Sequence, residues 1–245
     1  MNFSIVQQDA IDFLRSLEPG SVDLIITDPA YESLEKHRKK GTTTRLKNSK
    51  SSSNKWFPIF PNSRFPPFLM AAYRALAKNS HFYMYCDDET AYVVKPFAEA
   101  AGFKYWKRLV WDKMRIGMGY HYRARCEYIL FFEKGKRKLQ NLGMPDVFDL
   151  KEDSEGYVIE CARIHKGYPT EKPVMVSEKL IVQSSLPGEL VVDPFMGSGS
   201  VGVAALKHRR KFAGCDIEKD ALDLTDRRLI DTLAERNKQL PLDEV

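Results

Sequence analysis

The chain has 245 residues, 43% hydrophobic and 29% charged, with a formal charge of +5, the balance of an ordinary globular protein with one substantial core. No run approaches the roughly 18 consecutive apolar residues of a membrane-spanning helix, and the opening MNFSIVQQDA lacks the basic start and long apolar run of a secretory signal, so a cytoplasmic location is expected. Cys86, Cys126, Cys161 and Cys215 lie far apart with no Cys-x-x-Cys pair, which argues against a zinc site or a disulfide framework.

Apolar runs bounded by turn residues alternate with segments of helical period. Residues 22–27 (VDLIIT) read as a buried parallel strand ending at Asp28-Pro29-Ala30-Tyr31. Residues 32–54 carry Lys36, Arg38, Lys39, Lys40, Arg45, Lys47 and Lys50 among Ser, Thr and Asn. With so little apolar surface to bury, the stretch 32–55 is expected to be a mobile basic loop. Helical spacing follows at 68–77, a strand at 81–86 (HFYMYC), and a helix at 89–101 that stops at Gly102. Residues 107–111 and 128–132 read as strands. The mixed-charge stretch 136–165 interrupts the alternation as an irregular insert, read as a small hairpin subdomain.

The last third resumes the pattern: a helix at 173–184 with proline in its first turn, a strand at 190–193, a Gly-Ser-Gly turn, a helix at 200–207, a strand at 212–216 and an amphipathic helix at 220–239. This order predicts an α/β fold, a Rossmann-like doubly wound and mostly parallel sheet in one domain spanning 1–245.

Two strand ends carry chemistry. Open α/β sheets bind ligands where strands end and helices begin. In LVVDPFMGSGSVG (190–202), Asp193 can pair with the cationic amino group of an amino-acid-like ligand. Gly197 and Gly199 let the backbone approach closely, and the helix start favours a carboxylate. Asp216, at the end of the next strand, suits a ribose diol. The third glycine of a dinucleotide fingerprint is out of place, so NAD is the weaker reading. At the other end, a nucleobase amine is a poor nucleophile because its lone pair is delocalised. Asp28 and the carbonyl of Pro29 can accept its N–H hydrogens and localise that pair, proline fixes the carbonyl's direction, and Tyr31 offers a stacking face. Transfer from an activated sulfonium then needs positioning and electrostatics more than a covalent nucleophile.

In this order, these motifs resemble the β group of amino-methylating DNA methyltransferases, in which the catalytic motif precedes the cofactor motif, a circularly permuted order. The resemblance covers most of the chain. It implies S-adenosyl-L-methionine as cofactor and methylation of adenine N6 in double-stranded DNA. Asp9-Ala10 would lie near the cofactor's adenine. Thr170 and Lys172, within Tyr168-Pro169-Thr170-Glu171-Lys172-Pro173, would help hold its methionine end. Asp193, Phe195, Gly197, Ser198 and Gly199 would form the cofactor loop, with Phe195 packing on the ligand. Asp28 favours adenine, because family members acting on cytosine more often carry Ser there; the alternatives are a cytosine-N4 methyltransferase or a catalytically weakened DNA-binding protein. The family usually has Pro at position 30 and His at position 168, so Ala30 predicts a less rigid catalytic loop.

The basic residues from Lys36 to Lys55 suit phosphate contact. WDKMRIGMGYHYRAR (111–125) interleaves bases with aromatics, which suits backbone contact and stacking. By resemblance this stretch, with Arg123 and Glu127, faces the target base, Tyr120 and His121 are candidates to line the pocket, and 136–165 takes the place of a target-recognition insert. A homodimer and a cognate restriction endonuclease are further partners the resemblance allows. Methyltransferases acting on protein glutamine or RNA usually carry the reverse motif order, and no cysteine follows a proline as cytosine-C5 chemistry requires.

Overall fold

Side chains alternate across a strand, so a strand buried on both faces feeds two cores at once. The computed structural model, which describes residues 2–33, 58–114, 116, 122–149 and 171–238, is built on this rule. In strand β2 (Val22–Thr27), Leu24 and Ile26 enter one core and Ile25 the other. In β3 (Leu76–Cys86), Phe82, Met84 and Cys86 face one side, and Tyr83 and Tyr85 the opposite one.

The remaining elements are β1 (Phe3–Gln7), α1 (Ala10–Ser16), α2 (Phe65–Ala75), α3 (Asp88–Ala101), β4 (Lys104–Asp112), β5 (Cys126–Lys134), β6 (Val147–Asp149), α4 (Val174–Ser184), β7 (Leu190–Asp193), α5 (Ser200–Lys207), β8 (Lys211–Asp216) and α6 (Lys219–Lys238). The eight strands form one sheet in the order β1-β8-β7-β2-β3-β5-β4-β6. Among them β5 alone runs antiparallel to its neighbours, β3 and β4. Helices α1–α3 cover one face and α4–α6 the other. The doubly wound, mostly parallel sheet expected from the sequence is therefore present, and among the described residues no helix is long and apolar enough to cross a membrane.

Several boundaries differ from the sequence reading. β1 and α1 were not anticipated: β1 is short and half-exposed, and its apolar pattern becomes meaningful only through parallel pairing with β8 (Phe3↔Phe212 to Gln7↔Asp216). Helix α2 starts three residues before the expected 68, with Pro66 and Pro67 in the first turn where no N–H is missed. Of the 136–165 insert, the structure describes residues 136–149. Its Val147–Asp149 pairs in parallel with β4 and extends the main sheet. Helix α3 ends as expected, with Gly102 at φ 108°, the left-handed region that glycine enters without cost.

Away from the ligand edge, His81 is 1% exposed. Its Nδ1 lies 2.8 Å from the Ser184 hydroxyl, and its Nε2 3.1 Å from the Arg137 carbonyl oxygen and 3.8 Å from Glu133. Burial pushes its pKa down from 6.5 to about 4, despite the Arg137 carbonyl and Glu133. Between those values the unfolded chain takes a proton that the folded one refuses. Stability from this group is thus complete above pH 6.5 and lost as the pH falls towards 4, by up to about 3 kcal/mol. The difference between wild-type and His81→Gln stability measured by urea unfolding from pH 7 to 4 isolates this contribution; a difference independent of pH would refute it.

Candidate active site

The connections leaving β2 and β7 run in opposite directions. From β7 the chain passes through α5 to β8, towards one edge of the sheet. From β2 it passes through α2 to β3, towards the other. The two strands are nevertheless direct neighbours (Leu24↔Val191, Ile25↔Val192). Their carboxyl ends therefore flank the switch-point crevice in which open α/β sheets bind ligands.

The two motifs singled out in the sequence meet at this crevice. Asp28 follows β2 directly and Asp193 ends β7. The Thr27 hydroxyl donates to Asp193 Oδ1 at 3.0 Å, and so does the Phe195 N–H, also at 3.0 Å. Asp193 is 3% exposed. Burial raises its pKa to about 7, with the nearby negative charges of Asp28 and Asp216 adding to the effect and the Phe195 N–H and Thr27 hydroxyl opposing it.

The turn after β7 is built by its glycines. Gly197 (φ 48°) and Gly199 (φ 79°) both sit in the left-handed region. A Cβ on Gly199 would lie 2.7 Å from Thr225 Cγ2, and the Thr225 hydroxyl donates to the Gly197 carbonyl at 2.9 Å. Ser198 is buried, and its carbonyl accepts from Arg228 at 2.6 Å. Asp216 accepts from the Gly197 N–H at 3.0 Å and the Glu218 N–H at 2.9 Å. Burial raises its pKa against those N–H donors. The Phe195 ring packs edge-on against Phe60, with centroids 5.0 Å apart, and tilted against Phe68 at 5.5 Å. One strand further out, Asp9 caps α1 through the Ile11 N–H at 3.0 Å, and its two oxygens both accept from Arg64 Nη2, at 2.9 and 2.8 Å. Ala10 beside it is buried.

After β2, the Tyr31 hydroxyl donates to Asp28 Oδ1 at 2.5 Å. Burial first, and the Asp28 charge second, raise the tyrosine pKa well above its ordinary value, so it stays a donor. Pro29 is buried. Ala30 sits in a loop pinned from outside: its carbonyl accepts from the Phe60 N–H at 2.8 Å, Tyr31 and Phe60 form a parallel bridge, and Glu32 accepts from the Asn62 N–H at 2.7 Å. These bonds supply restraint at the position where proline was expected to provide it. Ser33 bonds to Asp87, which caps α3 through the Thr90 N–H.

Lys172 lies on the Asp28 carboxylate. Its Nζ is 2.6 Å from Asp28 Oδ2 and 3.2 Å from Glu127 Oε2, and Lys113 reaches the other Glu127 oxygen at 3.3 Å. Burial penalises both charges. Even so, Asp28 and Glu127 raise the lysine pKa, and Lys172 and Lys113 lower that of Glu127. Arg64, Thr27 and Lys113 were missed by sequence reasoning, since each acts through a partner distant in the chain. Arg123 is exposed on the loop after β4, whose neck is closed by a two-pronged Arg125–Asp112 ion pair at 2.7 and 2.8 Å. Thr170, Tyr168, Tyr120, His121 and the basic residues Lys36, Arg38, Lys39, Lys40, Arg45 and Lys47 lie outside the described residues.

A family model described as DNA methylase, covering adenine-N6 and cytosine-N4 enzymes, matches residues 22–227. The chain belongs to this S-adenosylmethionine-dependent family of DNA amino-methyltransferases. The type II methyltransferase M.HpaI of Haemophilus parainfluenzae is 26% identical over 266 residues, spanning 99% of this chain and 81% of the relative. The DNA adenine methyltransferase YhdJ of Escherichia coli strain K12 is 26% identical over 258 residues, spanning 92% and 82%. In fold, the chain resembles the M1.HpyAVI–SAM complex, with a TM-score of 0.65 at 22% identity over 93% of this chain and 100% of the other. It also resembles the cytosine-N4-specific PvuII DNA methyltransferase, with a TM-score of 0.66 at 16% identity over 98% and 94%.

Proposed function

We propose that the chain methylates the exocyclic N6 of adenine in double-stranded DNA, by direct transfer to a base turned out of the helix. The observation that carries this reading is the crevice between β2 and β7, where Asp28 and Asp193 stand on adjacent strand ends joined by the Thr27–Asp193 hydrogen bond.

The donor set fits S-adenosyl-L-methionine. Asp193 offers a buried carboxylate with no cationic partner among the described residues, suited to an ammonium. Gly197 and Gly199 give the turn its left-handed backbone, which brings the chain close to the end of β7, and Asp216 suits a ribose diol. Asp9 and Ala10 lie beyond it at the end of β1, suited to the adenine end. When bound, this cofactor supplies a methyl group on a positively charged sulfur. Asp28 and the Pro29 carbonyl accept the two N–H hydrogens of the target amine and concentrate its lone pair towards that methyl group. Once methylated, the amine would have to shed a proton, and Asp28 would be the acceptor nearest to take it. Tyr31 holds the carboxylate through its hydroxyl and offers its ring to the base.

Asp28 supports adenine over cytosine, and the similarity to YhdJ, named as a DNA adenine methyltransferase, points the same way. We read 1–245 as one catalytic domain, with 136–165 as a short recognition insert and 32–55 as the DNA-facing basic loop. The test is expression in a methylation-free host followed by sequencing with base-modification detection. N6-methyladenine at one short sequence is expected. N4-methylcytosine would overturn the adenine assignment, and an unmodified genome with cofactor binding intact would overturn catalysis. Replacing Lys39, Lys40 and Lys47 with alanine should weaken DNA binding and reduce the slope of log affinity against log salt by up to about 3. An unchanged slope would remove the loop from the DNA contact.

A further inference from the structure

We propose that Lys172 is a positioning residue for methyl transfer: its ammonium, shared between Asp28 and Glu127, aims the Asp28 carboxylate and moves onto Glu127 when the substrate amine docks. This rests on the catalytic reading of Asp28 given above. It replaces, for this one residue, the cofactor contact that family resemblance implied.

Both oxygens of Asp28 are engaged, Oδ1 by the Tyr31 hydroxyl and Oδ2 by Lys172. An ionised carboxylate has about four lone-pair sites, but the Lys172 contact occupies the oxygen that Tyr31 leaves. One lone pair on each oxygen remains, so an arriving N–H shares an oxygen with Tyr31 or with Lys172, and the crowding is relieved most readily by the donor that has a second acceptor. The Tyr31 hydroxyl has no second acceptor among the described residues. Lys172 does, since Glu127 Oε2 is already 3.2 Å away. Glu127 is in turn held from its far side by Lys113, so it stays in place as the ammonium shifts.

The lysine's own backbone is anchored independently of Asp28. Glu171, immediately before it, pairs with Arg228 at 2.7 Å, and Arg228 also donates to the Ser198 carbonyl of the cofactor loop. Pro173, immediately after it, caps α4. The segment is therefore tied to the cofactor loop by one residue and to the catalytic carboxylate by the next. The Tyr85 ring lies 5.5 Å from Nζ and forms the apolar wall past which the ammonium moves.

The charge balance makes this testable. Besides Lys172, the ionisable groups near Asp28 are Tyr31, Tyr85, Cys86, Glu127 and Asp193; Lys113 lies on the far side of Glu127. Removing Lys172 takes away the cation next to Asp28 and leaves it among groups that are neutral or negative. The negative charges that face one another there then lack the cation they share.

The experiment uses the full chain, labelled S-adenosylmethionine and unmethylated genomic DNA at saturation. Lys172→Met should lower kcat on the order of a hundredfold at neutral pH, leave cofactor affinity within about twofold, and move the acid limb of the kcat–pH profile upwards. Lys172→Arg should recover part of the rate. Glu127→Gln, close in shape, removes a neighbouring negative charge and leaves the ammonium on Asp28 alone; it should lower kcat with the acid limb moved downwards. Opposite shifts in the two variants support the proposal. Shifts of the same sign, no shift in either, or weakened cofactor binding with normal kcat would overturn it. Thermal melting with and without cofactor identifies a misfolded Lys172→Met, in which case the Glu127→Gln limb decides alone. Asp28→Ala in the same assay keeps the two readings apart. Activity surviving there refutes the catalytic site itself, whereas activity lost there beside a normal Lys172→Met refutes only the role of the lysine.

Discussion

Replacing Asp28 with alanine should lower kcat for methyl transfer by about a thousandfold or more, with cofactor affinity staying within about twofold of wild type. The carboxylate contacts Tyr31 and Lys172, and neither of these is part of the loop from Asp193 to Gly199. The loop keeps its own supports in the variant: Thr27 and Phe195 still bond to Asp193, Asp216 still holds the Gly197 N–H, and Arg228 still bonds to the Ser198 carbonyl. On the proposed reading, what disappears is the acceptor for the target amine's N–H, an interaction realised mainly in the transition state, so the loss falls on kcat. Lys172 is not left unpaired in the variant, because Glu127 remains 3.2 Å away; gross unfolding is therefore not the expected route to inactivity. Asp28→Asn should fall between the two, keeping one carbonyl acceptor but losing the charge. Isothermal titration for cofactor and single-turnover transfer for chemistry separate the effects. Weak cofactor binding in Asp28→Ala, with a normal transfer rate at saturation, would refute the division of roles between the two strand ends.

The parts of this site that could be read from the sequence are those written contiguously. Asp28-Pro29-Ala30-Tyr31 follows an unbroken apolar run, and Asp193 to Gly199 follows another, so strand, turn and chemistry appear within a dozen residues of each other. The family resemblance rests on the same stretches. The supports were not legible because they are assembled from distant parts of the chain. Arg64 reaches Asp9 across 55 residues, and Thr27 reaches Asp193 across 166. Lys172 shows the limit most clearly. The resemblance of Tyr168-Pro169-Thr170-Glu171-Lys172-Pro173 to a family segment suggested the cofactor's end of the crevice. Only the packing of the segment against the ends of β2 and β5 brings its Nζ to Asp28 and Glu127. Short strands were lost for a related reason. β1 and β6 are defined by their parallel partners β8 and β4, and neither has enough apolar residues of its own to announce a strand.

Cofactor affinity should be highest between pH 7 and 8 and fall on the acid side, with Asp193 as the group responsible. In the free protein burial raises this carboxyl to about 7, so below that pH the site increasingly holds a proton where the ligand's ammonium would sit. Binding then requires its release, and affinity falls towards tenfold per pH unit. On the basic side, an α-amino group loses its charge near 7.7–8.0 in model compounds, about where the ligand's would stop pairing. Asp193→Asn keeps the shape and the Thr27 contact but removes the charge. It should weaken cofactor binding on the order of a hundredfold at pH 7.5 and abolish the acid limb. Titration calorimetry in buffers of different ionisation enthalpy counts the proton directly: about one released per wild-type binding event at pH 6 and none in the variant. An acid limb that persists in Asp193→Asn would assign the titration to another group. The same raised value has a consequence for folding. Stability from Asp193 is complete below the ordinary 3.8 and is lost as the pH rises through about 7, because the ionised carboxylate is then buried without a counter-charge. The ligand's ammonium supplies that charge, so S-adenosylmethionine should raise the melting temperature more at pH 7.5 than at pH 6, and this excess should vanish in Asp193→Asn.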